Sequence, residues 1–157
     1  MRRGELGRPS DKSELIERLK QSAEYPNAPF ATYRDLFVFA ACLGYEQGQR
    51  VSPVKTELPI PWEVLTGRND FEGLLYLFGI ASGDPTLLGE ERTQDLLKLF
   101  EAYCNGGLEI IEDWLSVASG MTETEVISTH ILSRLEQLNA GSKEASPELT
   151  VPQLSRT

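Results

Sequence analysis

Apolar residues recur at the spacing of an α-helix along most of the chain, and this periodicity limits the possible folds more than any other feature. Phe71, Leu74, Leu75 and Phe78 follow the i, i+3, i+4, i+7 pattern of a helix that buries one face. The segment "YRDLFVFAACLG" at residues 33–44 is apolar around most of its circumference. Such a segment is typical of a central, buried helix. The pattern therefore favours an all-α protein.

Capping residues and prolines divide the pattern into separate helices. Thr122 with Glu125 forms a capping box, and Thr32 with Asp35 forms a similar one in which Asp replaces Glu. The stretch "YEQGQRVSPVKTELPIPWEVL" contains three prolines, which remove backbone donors and interrupt helices. We therefore predict an all-α, compact, bundle-like domain of about six helices over residues 10–139, with one irregular Pro-rich segment.

The two ends of the chain lack helical periodicity. Residues 1–9 contain two glycines and a proline and are expected to form a flexible N-terminal arm, and residues 140–157 are expected to form a flexible C-terminal tail. The total of 157 residues suits a single domain. No apolar run approaches the roughly 18 residues of a membrane span, and "MRRGELGRPS" does not resemble a signal peptide. We expect a cytoplasmic protein.

The last periodic segment follows the capping box at Thr122. Its apolar residues recur at helical spacing, and we predict that they are buried in the domain core. They are Val126, Ile127, Ile131, Leu132, Leu135 and Leu138.

The tripeptide Asn105-Gly106-Gly107 separates two strongly patterned runs in "LFEAYCNGGLEIIEDWL". The tripeptide follows a helical run and lacks the spacing of a P-loop or a dinucleotide fingerprint, so a phosphate loop is disfavoured. Glycine at a helix C′ position adopts positive φ and lets the chain turn. We predict a corner between two helices here.

Little in the sequence indicates catalysis. His130 is the only histidine, which excludes a multi-histidine metal site, and it is expected to be a partly buried structural residue. Cys42 and Cys104 lie in apolar helical segments and are predicted to be buried thiols, although their spacing leaves a disulfide open. We predict no catalytic residues, no metal ligands and no cofactor.

Carboxylates are abundant, and the net charge is −9. Between Asp70 and Glu136 there are 13 acidic residues and only three basic ones, which argues against broad binding of nucleic acid by the whole surface. The densest acidic groups are predicted to be solvated helix faces, and a carboxylate–metal hydrolase is the least favoured function. These groups are Glu90-Glu91, Asp95 and Glu112-Asp113.

Basic and aromatic residues in the middle of the chain form the best candidate binding site. Arginine beside exposed aromatic rings binds phosphates, bases and partner proteins. The competing interpretation is that the rings pack at the edge of the core while the cations are solvated. The candidate residues for contact with DNA or a partner are Arg34, Tyr45, Arg50, Lys55, Trp62 and Arg68.

Four phrases, which together span about residues 29–118, resemble one family. They are "PFATYRDLFVFAACLGYEQGQRV", "PIPWEVL", "LLYLFGIASGDPTLL" and "FEAYCNGGLEIIEDWL". In this order they are similar to the small proteins associated with DNA phosphorothioation gene clusters, called dnd system-associated protein 4.

The resemblance implies work alongside enzymes that replace a phosphate oxygen of DNA with sulfur, or alongside the restriction machinery that guards modified DNA. It transfers no catalytic residues. The resemblance therefore implies a non-catalytic accessory or regulatory protein of a modification–restriction system for phage defence, which contacts other proteins of that system. The alternative is a DNA-binding or DNA-sensing protein that uses Arg34, Arg50, Lys55 and Arg68 on double-stranded DNA.

Overall fold

A computed structural model describes residues 3–67 and 70–144. Within these ranges the chain forms six α-helices and one two-stranded antiparallel sheet, which confirms the predicted helical class. The elements are β1 (Glu5–Pro9), α1 (Ser13–Leu19), α2 (Tyr33–Glu46), β2 (Thr56–Pro61), α3 (Trp62–Thr66), α4 (Phe71–Ala81), α5 (Thr93–Val117) and α6 (Glu123–Glu144). None of the described helices is long and apolar enough to cross a membrane.

Both predicted capping residues begin a helix. The Thr32 hydroxyl accepts a hydrogen bond from the Asp35 backbone N–H at 3.1 Å, and α2 starts at Tyr33, directly after Thr32. Before α6, the Thr122 hydroxyl accepts from the Glu125 N–H at 3.2 Å, while the Glu125 carboxylate accepts from the Thr122 N–H at 2.7 Å. Each cap satisfies backbone donors that have no partner inside the helix, so each fixes where its helix begins.

The predicted corner at Asn105-Gly106-Gly107 is wrong. The tripeptide lies in the middle of α5, which runs without a break from Thr93 to Val117. Neither glycine has a positive φ, so neither acts as a helix terminator. Both are buried, and both face neighbouring backbone.

The two glycines instead allow the main chain of other segments to approach α5 directly. A Cβ atom on Gly107 would overlap the carbonyl of Ala40 in α2, and one on Gly106 would overlap the carbonyl of Gln49. From the α2 side, a Cβ atom on Gly44 would overlap the Tyr103 carbonyl. Glycine inside a helix costs roughly 0.5–1 kcal/mol relative to alanine. Here the close packing that it permits offsets that cost.

The N-terminal residues, expected to be a flexible arm, contain strand β1. It pairs antiparallel with β2 in the Pro-rich segment, with Leu6 opposite Ile60 and Arg8 opposite Glu57. The Leu6 side chain is 1% exposed and belongs to the core. A flexible arm would leave this apolar side chain in water, so its burial holds the strand in place.

Contacts from distant residues also hold β1 in place. The Glu101 carboxylate in α5 accepts a hydrogen bond from the Gly7 N–H, and burial raises the pKa of that carboxyl. The buried Arg8 guanidinium donates to Glu17 in α1 at 2.8 Å and keeps the pKa of the Glu17 carboxyl below its usual range. These contacts attach the strand to both helices.

The expected C-terminal tail begins inside α6, which continues to Glu144; residues 145–157 lie outside the described residues. The two cysteines are both free thiols. Cys104 is buried, as predicted, and burial raises its pKa, but the prediction for Cys42 is wrong because that side chain is exposed on α2.

Candidate interaction surface

The predicted basic and aromatic residues do not share one surface. Trp62 is only 7% exposed and packs in the core, so its ring is not available to a ligand. Arg34 lies on α2 and donates to the Leu65 carbonyl at 3.2 Å. Lys55 is exposed beside β2, and Arg68 lies outside the described residues. Trp62 thus follows the alternative stated for these residues, in which the ring packs against the core and does not contact a ligand.

Tyr45 and Arg50 do come together, around Tyr103 of α5. The Tyr45 ring meets the Tyr103 ring edge-on, with 5.5 Å between centroids, and meets the Phe78 ring in the same way at 5.8 Å. The Arg50 guanidinium lies 5.9 Å from the centroid of the Tyr103 ring. Two of the six predicted residues therefore belong to one aromatic cluster.

The backbone on both sides of Arg50 is hydrogen-bonded to helices. The Gln49 N–H donates to the Gly44 carbonyl at 2.8 Å. The Val51 N–H donates to the Ala102 carbonyl at 3.0 Å, and the buried Asn105 amide donates to the Val51 carbonyl at 3.0 Å. The segments "GYEQGQRV" and "EAYCNGGLEI" thus pack against each other, and they are parts of two of the four phrases that carry the family resemblance.

Arg50 also lines a cavity of about 360 Å³ between the segment after α2, the end of α4 and the start of α5. We call this cavity the Arg50 cleft. Its lining combines three cations, two carboxylates and two hydroxyls with two leucines. The lining residues are Arg50, Ser52, Ser82, Asp84, Leu87, Arg92, Asp95, Lys98 and Leu99.

The sequence pattern did not predict a second surface, which is present because α6 is only partly buried. Val126 and Ile127 are 2% and 3% exposed and pack as predicted. The four apolar residues that follow were predicted to be buried, and this prediction is wrong: they are 41–60% exposed. They are Ile131, Leu132, Leu135 and Leu138.

Three of these exposed residues line a groove of about 570 Å³ between α6, α2 and α5. We call it the α6 groove. Its other apolar walls are Phe39 and Leu43 of α2 and Ile110 and Trp114 of α5. An ion pair between Arg134 of α6 and Glu46 of α2 joins the two helices at its rim.

His130 forms one wall of this groove. It is half-buried, and its ring stacks on Trp114 with 3.9 Å between centroids and an angle of 4° between planes. A flat stack of this kind suits a structural residue that fixes α6 against α5. This placement agrees with the structural role expected for the histidine.

Apolar grooves also lie between α2 and α4. One of about 210 Å³ is lined by Leu74, Leu77 and Phe78 of α4 together with Cys42 and Tyr45 of α2. Cys42 also lines the α6 groove. The outward side of α2 is therefore flanked by apolar grooves on both sides.

The acidic groups do not assemble into a metal site. No group of three or more His, Cys, Asp or Glu side chains within residues 3–67 and 70–144 could hold a metal ion. Asp95 instead pairs with Arg92 at 2.6 Å, and Glu112 lies 3.8 Å from the Lys12 ammonium.

Among the comparisons with known proteins, a family model gives a match, and that match spans most of the chain. No curated protein and no solved structure matches it. The model of one family, DNA sulphur modification system-associated protein 4, matches residues 5–149. This match extends beyond the phrases of the resemblance on both sides and includes β1 and α6. The chain therefore belongs to the family of DNA sulphur modification system-associated protein 4.

Proposed function

We propose that this protein is a non-catalytic accessory component of a DNA sulphur modification system and its linked restriction, and that it binds a basic, amphipathic helix of another protein of that system in the α6 groove. The family description supports the association with the system. The observation that carries the proposal is the apolar stripe of α6, which leaves the core after Ile127 but continues as Ile131, Leu135 and Leu138.

The spacing of this stripe favours a helix as the occupant. Ile131, Leu135 and Leu138 recur at i, i+4 and i+7, which is the pattern by which one helix packs on another. Grooves between two helices bind the apolar face of an amphipathic helix through anchors of the same spacing. A helix bound along α6 in this groove would also contact the apolar residues of α2 and α5 that form its other walls.

Charge favours a basic occupant. The chain has a net charge of −9, with 13 acidic against three basic residues between Asp70 and Glu136. Arg134, the one cation among the groove's lining residues, is neutralised by Glu46. The net charge of the chain would therefore attract a helix with basic residues on both sides of its apolar stripe, and the described residues that line the groove present it with no unpaired cation. Long-range attraction of this kind speeds encounter and disfavours acidic competitors.

The test is affinity capture from cells that carry the sulphur modification genes, with the captured proteins identified by mass spectrometry. The bait is compared with Leu135→Gln/Leu138→Gln, which makes the groove polar. Leu132→Gln is the matched control, because Leu132 is also exposed on α6 but does not line the groove. We expect the parent and the control to retain a protein of the system and the double variant to lose it.

Three results would contradict the proposal. The first is that no protein of the sulphur modification system is captured. The second is equal capture by the double variant, which would place the contact elsewhere. The third is that only further copies of the chain are captured, which would make the groove a self-interface.

We retain contact with DNA as a second candidate function, now for Arg50 in place of the whole predicted set. Support comes from the fixed backbone on both sides of Arg50 and from the cations beside it in the cleft. Arg34 lines a different cavity, between α2 and α4.

A further inference from the structure

The presentation of Arg50 is more ordered than that of an ordinary surface arginine. Besides its backbone bond to Gly44, Gln49 donates through its side chain to the Glu109 carboxylate at 3.0 Å, and its carbonyl lies against Gly106. Val51 is held by α5 on the other side. Arg50 is an exposed residue, so the chain holds its backbone firmly while leaving the side chain accessible.

The charges of the Arg50 cleft do not cancel. Asp95 is paired with Arg92, and Asp84 accepts hydrogen bonds from the backbone and hydroxyl of Thr86. Arg50 and Lys98 have no ion pair with any carboxylate of the described residues. With three cations against two carboxylates, the lining has a net charge of +1.

We propose that the Arg50 cleft binds a phosphate group through Arg50 and Lys98, with the Ser52 hydroxyl as a further donor. This proposal rests on the second candidate function and is independent of the α6 groove. Guanidinium and ammonium groups are the ordinary ligands of phosphate oxygens, and the planar fork of arginine can donate to two of them. The cavity of about 360 Å³ has room for such a group.

The charge of a phosphodiester matches that of the lining. One unit of negative charge balances the net charge of +1, whereas the acidic surface elsewhere repels a polyanion. A protein of this charge is therefore expected to touch nucleic acid at few points. A phosphate group for this cleft has two sources, the phosphodiester backbone of DNA and free inorganic phosphate.

The experiment measures binding of a fluorescent 12-base-pair duplex by anisotropy over a series of salt concentrations. Binding of inorganic phosphate is measured separately by isothermal titration calorimetry. Arg50→Ala and Lys98→Ala are each expected to raise the Kd about tenfold, and each to reduce the slope of log K against log salt by about 1. Lys55→Ala is the matched control, because this exposed lysine does not line the cleft. All three side chains are exposed, so unchanged thermal unfolding is expected and verifies the fold.

The outcomes separate the cleft from the DNA function. If the duplex binds and only Arg50→Ala and Lys98→Ala weaken its binding, the phosphate site in the cleft and the contact with DNA both stand. If inorganic phosphate binds in an Arg50-dependent way but the duplex does not, the cleft stands and its ligand is a free phosphate. If the duplex binds and all three variants behave alike, the phosphate site in the cleft is overturned, and the chain contacts DNA through residues other than Arg50. If neither probe binds, both are overturned.

Discussion

The crossing of α2 with α5 and the attachment of α6 use the same helical periodicity with different results. At the crossing, Ala40 of α2 and Gly107 of α5 bring two backbones together, and Leu36 and Phe100 on these helices are fully buried. Along α6 the periodicity continues, but Leu135 remains half exposed. The difference is that α2 and α5 meet through small residues, whereas the exposed part of α6 faces a groove. Apolar spacing therefore predicts a helix face, and small residues indicate where another part of the same chain covers it.

The largest expected effect comes from adding one methyl group at the crossing. Gly107→Ala places a Cβ atom against the Ala40 carbonyl, and overpacking against backbone is expected to lower the free energy of unfolding by about 3 kcal/mol. Gly73→Ala in α4 is the matched control. A Cβ atom there meets nothing within 4 Å, so helix propensity should raise stability by about 0.5–1 kcal/mol. Denaturant unfolding measures the stability of both variants. Equal effects at the two positions would show that close approach of the backbones does not limit side-chain size at the crossing.

The next effect divides α6 into its buried and exposed parts. Ile127→Ala removes a side chain that is 3% exposed, and it is expected to cost about 2–3 kcal/mol. Leu135→Ala removes one that is 50% exposed and is expected to cost less than about 1 kcal/mol. Chemical denaturation measures the loss of unfolding free energy in each variant. Similar losses would mean that the α6 groove is closed in solution, against the proposed docking role.

A smaller effect is expected at the segment that carries Arg50. Asn105→Ala leaves the Val51 carbonyl without its side-chain donor and should cost about 1–2 kcal/mol. Faster amide exchange at residues 49–51, with unchanged exchange in α2, would show that this amide holds the segment specifically. Unchanged exchange at residues 49–51 would contradict the assigned role.

The smallest effect is the acid sensitivity of the start of α6. The Arg18 guanidinium lowers the pKa of Glu123, and the Thr122 N–H lowers that of Glu125. Because both folded-state pKa values lie below the unfolded ones, their contribution is present above the unfolded pKa and is lost as the pH falls below about 4. Amide exchange, corrected for its intrinsic pH dependence, should increase in α6 before it increases in α5. Simultaneous loss in both helices would argue against separate attachment.

Local signals in the sequence predicted where two of the helices begin. The caps at Thr32 and Thr122 are local hydrogen bonds, so they can be read from neighbouring residues. Strand β1 could not be predicted in this way, because it depends on Glu101 and Gln94, about 90 positions further along the chain. A segment held mainly by distant partners has no local pattern of its own.

The binding residues were harder to predict, because residue type does not reveal exposure. Trp62 and Tyr45 were equal candidates in the sequence, yet the first is buried and the second is 46% exposed. Asn105-Gly106-Gly107 is compatible with a turn or a helix, and only the carbonyl groups facing it decide the matter. The signal that could have identified the α6 groove is the excess of leucines in α6 without glycine or alanine at the facing positions of α2.

The consecutive glycines of α5 also set a fixed spacing. Gly106 touches the Gln49 carbonyl beside Arg50, and Gly107 touches the Ala40 carbonyl in α2, so two adjacent residues position both neighbours. With no side chain between the backbones, neither neighbour can slide without losing contact. α5 thereby fixes the distance between its two neighbours. A helix bound in the α6 groove beside α2 and a phosphate bound at Arg50 would therefore be held at a constant separation.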